Sequence, residues 1–337
     1  MTDPRLNLVP LQLGPVRIEF PVALAPMSGY SDWPTRTIAR RMGAGYTVCE
    51  VLLDQFVVNV TKGKKALRWI RVADDDHPVG AQLMGSAAEP FVPAALKLVE
   101  AGFDVIEVNF GCPVRKVVGK CRGGWMLSQP RTALEILARL REALPSRVPL
   151  TLKMRRGLDD GPQSREHFFT IFDGALALGV AAITVHGRTV RQRYEGRSSW
   201  EFVAEVKARA PDQTILGSGD LFTAPDCLAM FEKTGVDGIT VARGAIGNPW
   251  IFRDLRALAA GRPLPTPPSV EEQREVIREH HRLAESVYGP KRAAFVMRNY
   301  GIKYSRMHPQ AEQVRNAFAA LRRAERWEEV LDAWYQE

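Results

Sequence analysis

Up to residue 250, short runs of β-branched and apolar residues alternate with helical patterns, and this alternation constrains the fold more than any other feature of the chain. The apolar runs are residues 22–26, 46–51, 79–84, 105–109, 150–154, 182–186, 214–217 and 238–242. The central runs are almost continuously apolar, as expected of strands covered on both faces. Between them lie stretches of helical periodicity, among them 88–101, 131–143, 166–178, 200–209 and 224–234. Strands that alternate with helices build a parallel sheet. Eight strands separated by seven helical stretches match a closed (β/α)8 TIM barrel. An open doubly wound sheet usually has fewer strands, and no GxGxxG follows the first strand.

Such a barrel takes ~250 residues, and the chain has 337. The composition changes at Gly261-Arg262-Pro263-Leu264-Pro265-Thr266-Pro267-Pro268, which reads as a stiff linker. Ser269 then precedes Glu271 and Glu272, an N-cap with acidic residues in the first turn. No strand candidate follows. The expected organisation is a catalytic barrel over 1–257, a linker over 258–268 and a small C-terminal helical domain over 269–337.

Hydrophobic residues at 45% and charged residues at 25% are ordinary for a globular chain. No apolar run approaches the ~18 residues of a membrane span. The start, Met1-Thr2-Asp3-Pro4, has neither the basic nor the apolar region of a signal peptide, so the protein is expected to stay in the cytoplasm, as a monomer. The four cysteines form no CxxC pair and no zinc pattern, so no metal is expected. A net charge of +8 favours a polyanionic partner, although a basic soluble protein without one fits equally well.

In a (β/α)8 barrel the chemistry sits at the C-terminal ends of the strands. Unusual polar residues cluster there. The third run carries Gln82, and the fourth ends in Asn109-Phe110-Gly111-Cys112-Pro113. The fifth ends in Lys153 and Arg155, the sixth in His186-Gly187-Arg188. The seventh gives Gly217-Ser218-Gly219-Asp220 and the eighth Ala242-Arg243-Gly244. Taken singly, Gln82 is a satisfied core amide and His186 a structural histidine. Lys153 is harder to dismiss, because lysine is almost never buried unpaired. Glycine-rich turns after the seventh and eighth strands let the backbone approach a phosphate, with Arg243 as a fixed cation. Gly111 and Pro113 frame Cys112 in a tight exit from its strand, turning the thiol toward the rim. A free cysteine is more often a small buried hydrophobe. Lys116 and Lys120 in the following loop either lower the thiol pKa or contact nucleic-acid phosphates.

These motifs resemble the tRNA-dihydrouridine synthases, FMN-dependent (β/α)8 oxidoreductases. The resemblance rests on Ala25-Pro26-Met27 with Asp32, Gln82-Leu83-Met84-Gly85 and Asn109-Phe110-Gly111-Cys112-Pro113. It continues through Leu152-Lys153-Met154-Arg155, Val185-His186-Gly187-Arg188-Thr189, Gly217-Ser218-Gly219-Asp220 and Ala242-Arg243-Gly244-Ala245-Ile246-Gly247-Asn248-Pro249-Trp250. The motifs keep family order and spacing from residue 23 to about 253.

The resemblance implies FMN as cofactor and NADPH as co-substrate. In it, reduced FMN gives hydride to uracil C6 and Cys112 protonates C5 as general acid. Pro26, Met27 and Ser28 lie along the flavin ring. Gln82 and Lys153 bond its polar edge, Lys153 near the end where negative charge gathers, and His186 contacts the flavin region. Gly219, Asp220, Ala242 and Arg243 cradle the phosphate, and Asn109 and Arg155 hold the uracil. Ser218 stands where the family usually has Asn, which shortens that contact. The rival within enzymes is an FMN-dependent barrel dehydrogenase of a small pyrimidine. The rival of another class is an RNA-binding protein that has lost catalysis.

The tail carries nine Lys or Arg over residues 288–326, against Glu312 and Glu325. Together with Lys116, its Arg298 and Lys303 are expected to contact tRNA. Tyr300, Tyr304 and His308 are interleaved with the basic residues and are expected to stack on bases.

Overall fold

A computed structural model describes residues 8–60, 68–323 and 326–336. The chain opens with a hairpin absent from the sequence reading, β1 (Leu11–Leu13) and β2 (Val16–Ile18), paired antiparallel. Eight parallel strands follow: β3 (Val22–Leu24), β4 (Tyr46–Leu53), β5 (Val79–Met84), β6 (Val105–Phe110), β7 (Leu150–Arg155), β8 (Ala182–His186), β9 (Ile215–Ser218) and β10 (Gly238–Val241). They close in sequence order, with β10 pairing both β3 and β9. The barrel expected from the alternation is therefore present, and its strand ends lie within a few residues of the expected positions.

The helices delimited among the described residues of the barrel are α1 (Trp33–Arg41), α2 (Asp54–Asn59), α3 (Phe91–Glu100), the single turn α4 (Arg115–Val118), α5 (Pro130–Ala143), α6 (Pro162–Ala177), α7 (Trp200–Arg209), α8 (Ala224–Thr234) and α9 (Trp250–Ala259). The tail adds α10 (Val270–Tyr288), α11 (Pro290–Tyr304), α12 (Ala311–Ala320) and α13 (Trp327–Trp334). Ser269 caps α10 through the Glu272 amide, as its sequence predicts.

Alternation within each strand divides its side chains between two environments. Ile106, Val108 and Phe110 of β6 point outward and join Leu150, Leu152 and Met154 of β7 in the main core beneath the helices. The opposite set faces the barrel axis. At the N-terminal end this inner set is apolar. Ala23, Tyr46, Val105, Ala182 and Leu216 pack there against Leu11, Leu13 and Ile18 of the hairpin, which closes that mouth. Towards the C-terminal end the inner positions become polar, running through Glu107, Asn109, Lys153, His186 and Ser218.

The tail has its own core of Ile277, Met297, Tyr300, Tyr304, Phe318, Trp327 and Leu331, joined by Ile38 of α1 and Trp250 of α9. This corrects the expectation that Tyr300, Tyr304 and His308 stack on bases. Tyr300 and Tyr304 are 2% exposed and His308 is buried. Spacing of three and four residues sets Tyr300 and Tyr304 on the same face of α11 as Met297, and that face is the core face. Their polar atoms are also engaged. Tyr300 Oη lies 2.6 Å from Thr35 Oγ1, Tyr304 Oη 3.0 Å from His280 Nδ1, and His308 Nε2 2.9 Å from the Trp334 carbonyl.

Candidate active site

A cavity of about 400 Å³ opens at the C-terminal ends of the barrel strands, within the usual range for a small-ligand site. It brings together Pro26, Met27 and Ser28 after β3, Gln82 of β5, Asn109 and Cys112 at the end of β6, and Lys153 and Arg155 of β7. His186 of β8, Ser218 of β9, and Ala242 and Arg243 after β10 complete the expected set. Gly219, Asp220, Lys116, Arg298 and Lys303 do not line it. Tyr30, Val51, Val114, Tyr194 and Ile246 do, and none of them is among the candidates the sequence offers. Of these, only Ile246 lies within one of the family motifs. The others sit in loops or in a strand whose register shifts between Val48 and Val51, where periodicity has no hold.

The Cys112 turn is fastened from three sides. Asn109 Oδ1 accepts from the backbone N–H groups of Gly111 and Cys112, each at 2.9 Å. Arg155 donates from Nε to the Gly111 carbonyl at 2.9 Å, and from Nη1 to the carbonyls of Thr189 (2.9 Å) and Arg193 (2.8 Å). The Gly124 amide donates to the Cys112 carbonyl at 3.0 Å. Gly123, at φ +58°, lies so close that an added Cβ would meet Cys112 Cβ at 2.8 Å. Burial raises the Cys112 thiol pKa above its ordinary value, against smaller lowering by the Val114 amide and Arg155. Lys116 and Lys120 are exposed, and neither contributes to the shift, so the lowering expected from them is not found. Cys121 is exposed in the loop that follows α4, with φ +55°.

Below the turn, Asn109 Nδ2 donates to Gln82 Oε1 at 2.7 Å, and Gln82 Nε2 donates to Glu107 Oε1 at 2.6 Å. Burial raises the Glu107 pKa, while Lys153 and Gln82 act to lower it. Lys153 is brought down to about 8, chiefly by burial, with Glu107 opposing the fall. Its Nζ lies 3.4 Å from Ser218 Oγ, which is 3.4 Å from His186 Nδ1. His186 is pushed well below the ordinary imidazole range, first by burial and then by Arg155, Lys153, Arg188 and Arg243. It is therefore neutral at pH 7, and cations crowd around it.

Asp220, in the turn after β9, spends its carboxylate on side chains around it. It accepts from Arg188 Nη2, from the Ser198 amide at 2.7 Å and from Arg243 at 3.4 Å. Gly219 before it has φ +117°, and an added Cβ would come within 2.2 Å of Ser198 Oγ. Arg243 reaches the rim between two exposed rings, 5.1 Å from the centroid of Tyr194 and 4.9 Å from that of Phe222.

The tail meets this rim. Arg306 donates to the carbonyl of Ile246, a lining residue, and Gly247 packs against the backbone of Lys303. Arg298 lies further along α11 and donates to the Ala319 carbonyl at 3.2 Å. Among the described residues no group of His, Cys, Asp or Glu could hold a metal ion, and no helix is long and apolar enough to cross a membrane.

Residues 23–337 match the family described as Dihydrouridine synthase. The chain is similar to a probable tRNA-dihydrouridine synthase of Mycobacterium tuberculosis, 31% identical over 96% of this chain and 84% of the relative. It is also similar to tRNA-dihydrouridine synthase B of Pseudomonas putida, at 32% identity over 92% of this chain and 90% of the relative. Among solved structures it shares its fold with a histamine dehydrogenase from Rhizobium sp. 4-9 (TM-score 0.60, 16% identity, 82% of this chain). A 2-naphthoyl-CoA reductase gives the same score at 13% identity over 77% of this chain. The chain spans about half the length of these two structures, 51% and 53%.

Proposed function

The chain belongs to the dihydrouridine synthase family, and on that premise we propose that it reduces the C5–C6 double bond of specific uridines in tRNA. The observation that carries this reading is the convergence of Cys112, Asn109, Lys153, His186 and Arg243 on one cavity. The cavity also suits FMN. Lys153 is largely buried, its one side-chain hydrogen bond among the described residues being the long one to Ser218, and Arg243 is half-exposed. His186 is surrounded by four cations. A site of that polarity favours an anion, such as the phosphate and reduced ring of a flavin. Held there, FMN would supply the hydride for C6, with NADPH restoring its reduced form.

The remaining chemistry belongs to the chain. Cys112, kept as a thiol by burial, delivers the proton to C5. Asn109 fixes the backbone of the cysteine turn and faces the target base, and Arg155 ties that turn to the loop after β8. Lys153 and Gln82 bond the polar edge of the flavin, with Pro26, Met27 and Ser28 along its ring. Gly219, Ala242 and Arg243 serve the phosphate, and Asp220 aims Arg243 at it instead of meeting it directly. A uridine must leave its stack to enter a pocket of this depth.

The barrel, residues 1–257, acts as the catalytic unit, and the helical unit, 269–337, orients the tRNA across the linker 258–268. Lys303 and Arg306 beside the rim, with Lys116 and Arg298 further out, meet its phosphates. We assign the protein to the cytoplasm as a monomer.

The test is mass spectrometry of unmodified tRNA incubated with the protein, FMN and NADPH. A gain of two mass units on one uridine, absent with Cys112→Ala, is the expected result. No gain while NADPH is still oxidised would move the substrate to a small pyrimidine.

A further inference from the structure

The polar chain beneath Cys112 has a direction. The backbone N–H groups of Gly111 and Cys112 can only donate, so Asn109 must turn Oδ1 toward them. Its Nδ2 then faces Gln82 Oε1, and Gln82 Nε2 is left needing an acceptor. Glu107 Oε1 provides it at 2.6 Å. Gln82, Glu107 and Asn109 are 0%, 5% and 8% exposed. Glu107 does not line the cavity, so water does not take its place as the acceptor, and each unmade bond costs about 1–3 kcal/mol. Glu107 lies two residues before Asn109, on the same inward face of β6, which pairs with β7 of Lys153. The charged groups that bear on Lys153 are Glu107 on β6 and Arg155 on its own strand, with neutral His186 on β8 beside it. Of these, only Glu107 favours the charged ammonium.

We propose that Glu107 is a positioning residue for the reduction. Through Gln82 and Asn109 it holds the Cys112 turn in place, and in its ionised form it favours the ammonium of Lys153 across the β6–β7 pair. The inference rests on the roles given above to Cys112 and Lys153. One buried carboxylate thereby couples the proton donor to the cation at the flavin edge.

Two measurements test it without tRNA, in protein carrying Cys121→Ser. The first is the rate of Cys112 alkylation by iodoacetamide. Glu107→Leu removes the last acceptor and is expected to raise that rate roughly tenfold, the equivalent of about one buried hydrogen bond. Glu107→Gln keeps an acceptor for Gln82 and is expected to alkylate at the wild-type rate. The second is FMN affinity against pH, followed by flavin fluorescence. Affinity is expected to fall as Lys153 deprotonates near pH 8. In Glu107→Gln that fall moves to lower pH by about one unit, as the loss of one neighbouring charge predicts. A Glu107→Leu protein with wild-type alkylation overturns the positioning of Cys112. An unmoved FMN profile in Glu107→Gln overturns the role toward Lys153, and decides the matter alone if Glu107→Leu does not fold. Wild-type protein that makes no dihydrouridine, or binds no FMN, refutes the proposed function and leaves the alkylation test standing.

Discussion

Arg188 Nη2 donates to both carboxylate oxygens of Asp220, at 2.6 and 2.8 Å, with the arginine side chain only 3% exposed. The same carboxylate lies 3.4 Å from Arg243, so one acid in the turn after β9 orients two cations around the site. Asp220→Ala strands Arg188 without its counter-charge. Because Asp220 keeps some solvent contact, the expected loss of stability is roughly 2–4 kcal/mol, somewhat below that of a fully buried pair. Urea unfolding measures it. FMN affinity should fall as well, since Arg243 loses its guide. Full stability in Asp220→Ala would mean that water replaces the carboxylate.

Cys112→Ala should lower dihydrouridine formation by about 10²–10⁴-fold, the usual worth of a positioned general acid. FMN binding should be unaffected, and Cys121→Ser should stay active, because Cys121 is exposed in the loop after α4. A proton donor acts in its protonated form. With the thiol pKa raised by burial, the rate at saturating FMN should hold through neutral pH and fall only above the ordinary thiol range. A single-turnover pH profile that already declines near pH 7 would contradict this assignment.

The tail should be acid-sensitive. His280, buried and bonded to Tyr304, has its pKa lowered from 6.5 to about 4, chiefly by burial. Below pH 6.5 the unfolded chain takes up a proton that the folded chain refuses. This contribution is complete above pH 6.5 and is lost as pH falls through about 4, up to roughly 3 kcal/mol. Thermal melts between pH 7.5 and 4.5 should show the drop, and His280→Phe should flatten it.

Glu50 gives the opposite sign. Burial raises its pKa to about 7, against the lowering effect of the Gly29 amide. The folded state holds a proton that the unfolded state releases from about pH 4.5 upward, so stability declines as pH rises toward 7. Glu50→Gln can still accept from Gly29 and should add roughly 2 kcal/mol at pH 8 and much less at pH 5. Equal gains at the two pH values would mean that the Glu50 carboxyl does not titrate with folding.

Lys303→Ala should weaken tRNA binding and reduce the slope of log K against log salt by about one. Tyr300→Phe should leave RNA affinity unchanged and cost about 1 kcal/mol of stability through the bond to Thr35. An RNA-binding defect in Tyr300→Phe at unchanged stability would give the hydroxyl a direct role toward RNA.

The rim was legible in the sequence because strand ends are local features. A polar residue closing an apolar run, as Asn109, Lys153 and His186 do, is placed at the barrel mouth once eight such runs are counted. Glu107 lies inside an apolar run as Gln82 does, but its part in the site depends on partners from another strand, and only the closed barrel shows that Gln82 accepts from Asn109 and donates to Glu107.

By itself, the order of apolar runs and helical patterns determined the barrel, the helical tail and the residues at the strand ends, because periods of two and near four are written into neighbouring residues. The tertiary structure alone decided which of these residues meet. It placed the hairpin across the N-terminal mouth, seated Tyr30 and Tyr194 at the cavity, and turned Tyr300 inward onto Thr35, 265 residues away. Such contacts follow from how the strands register and close and how the tail docks on α1. No local pattern encodes them, because their partners come from distant segments of the chain.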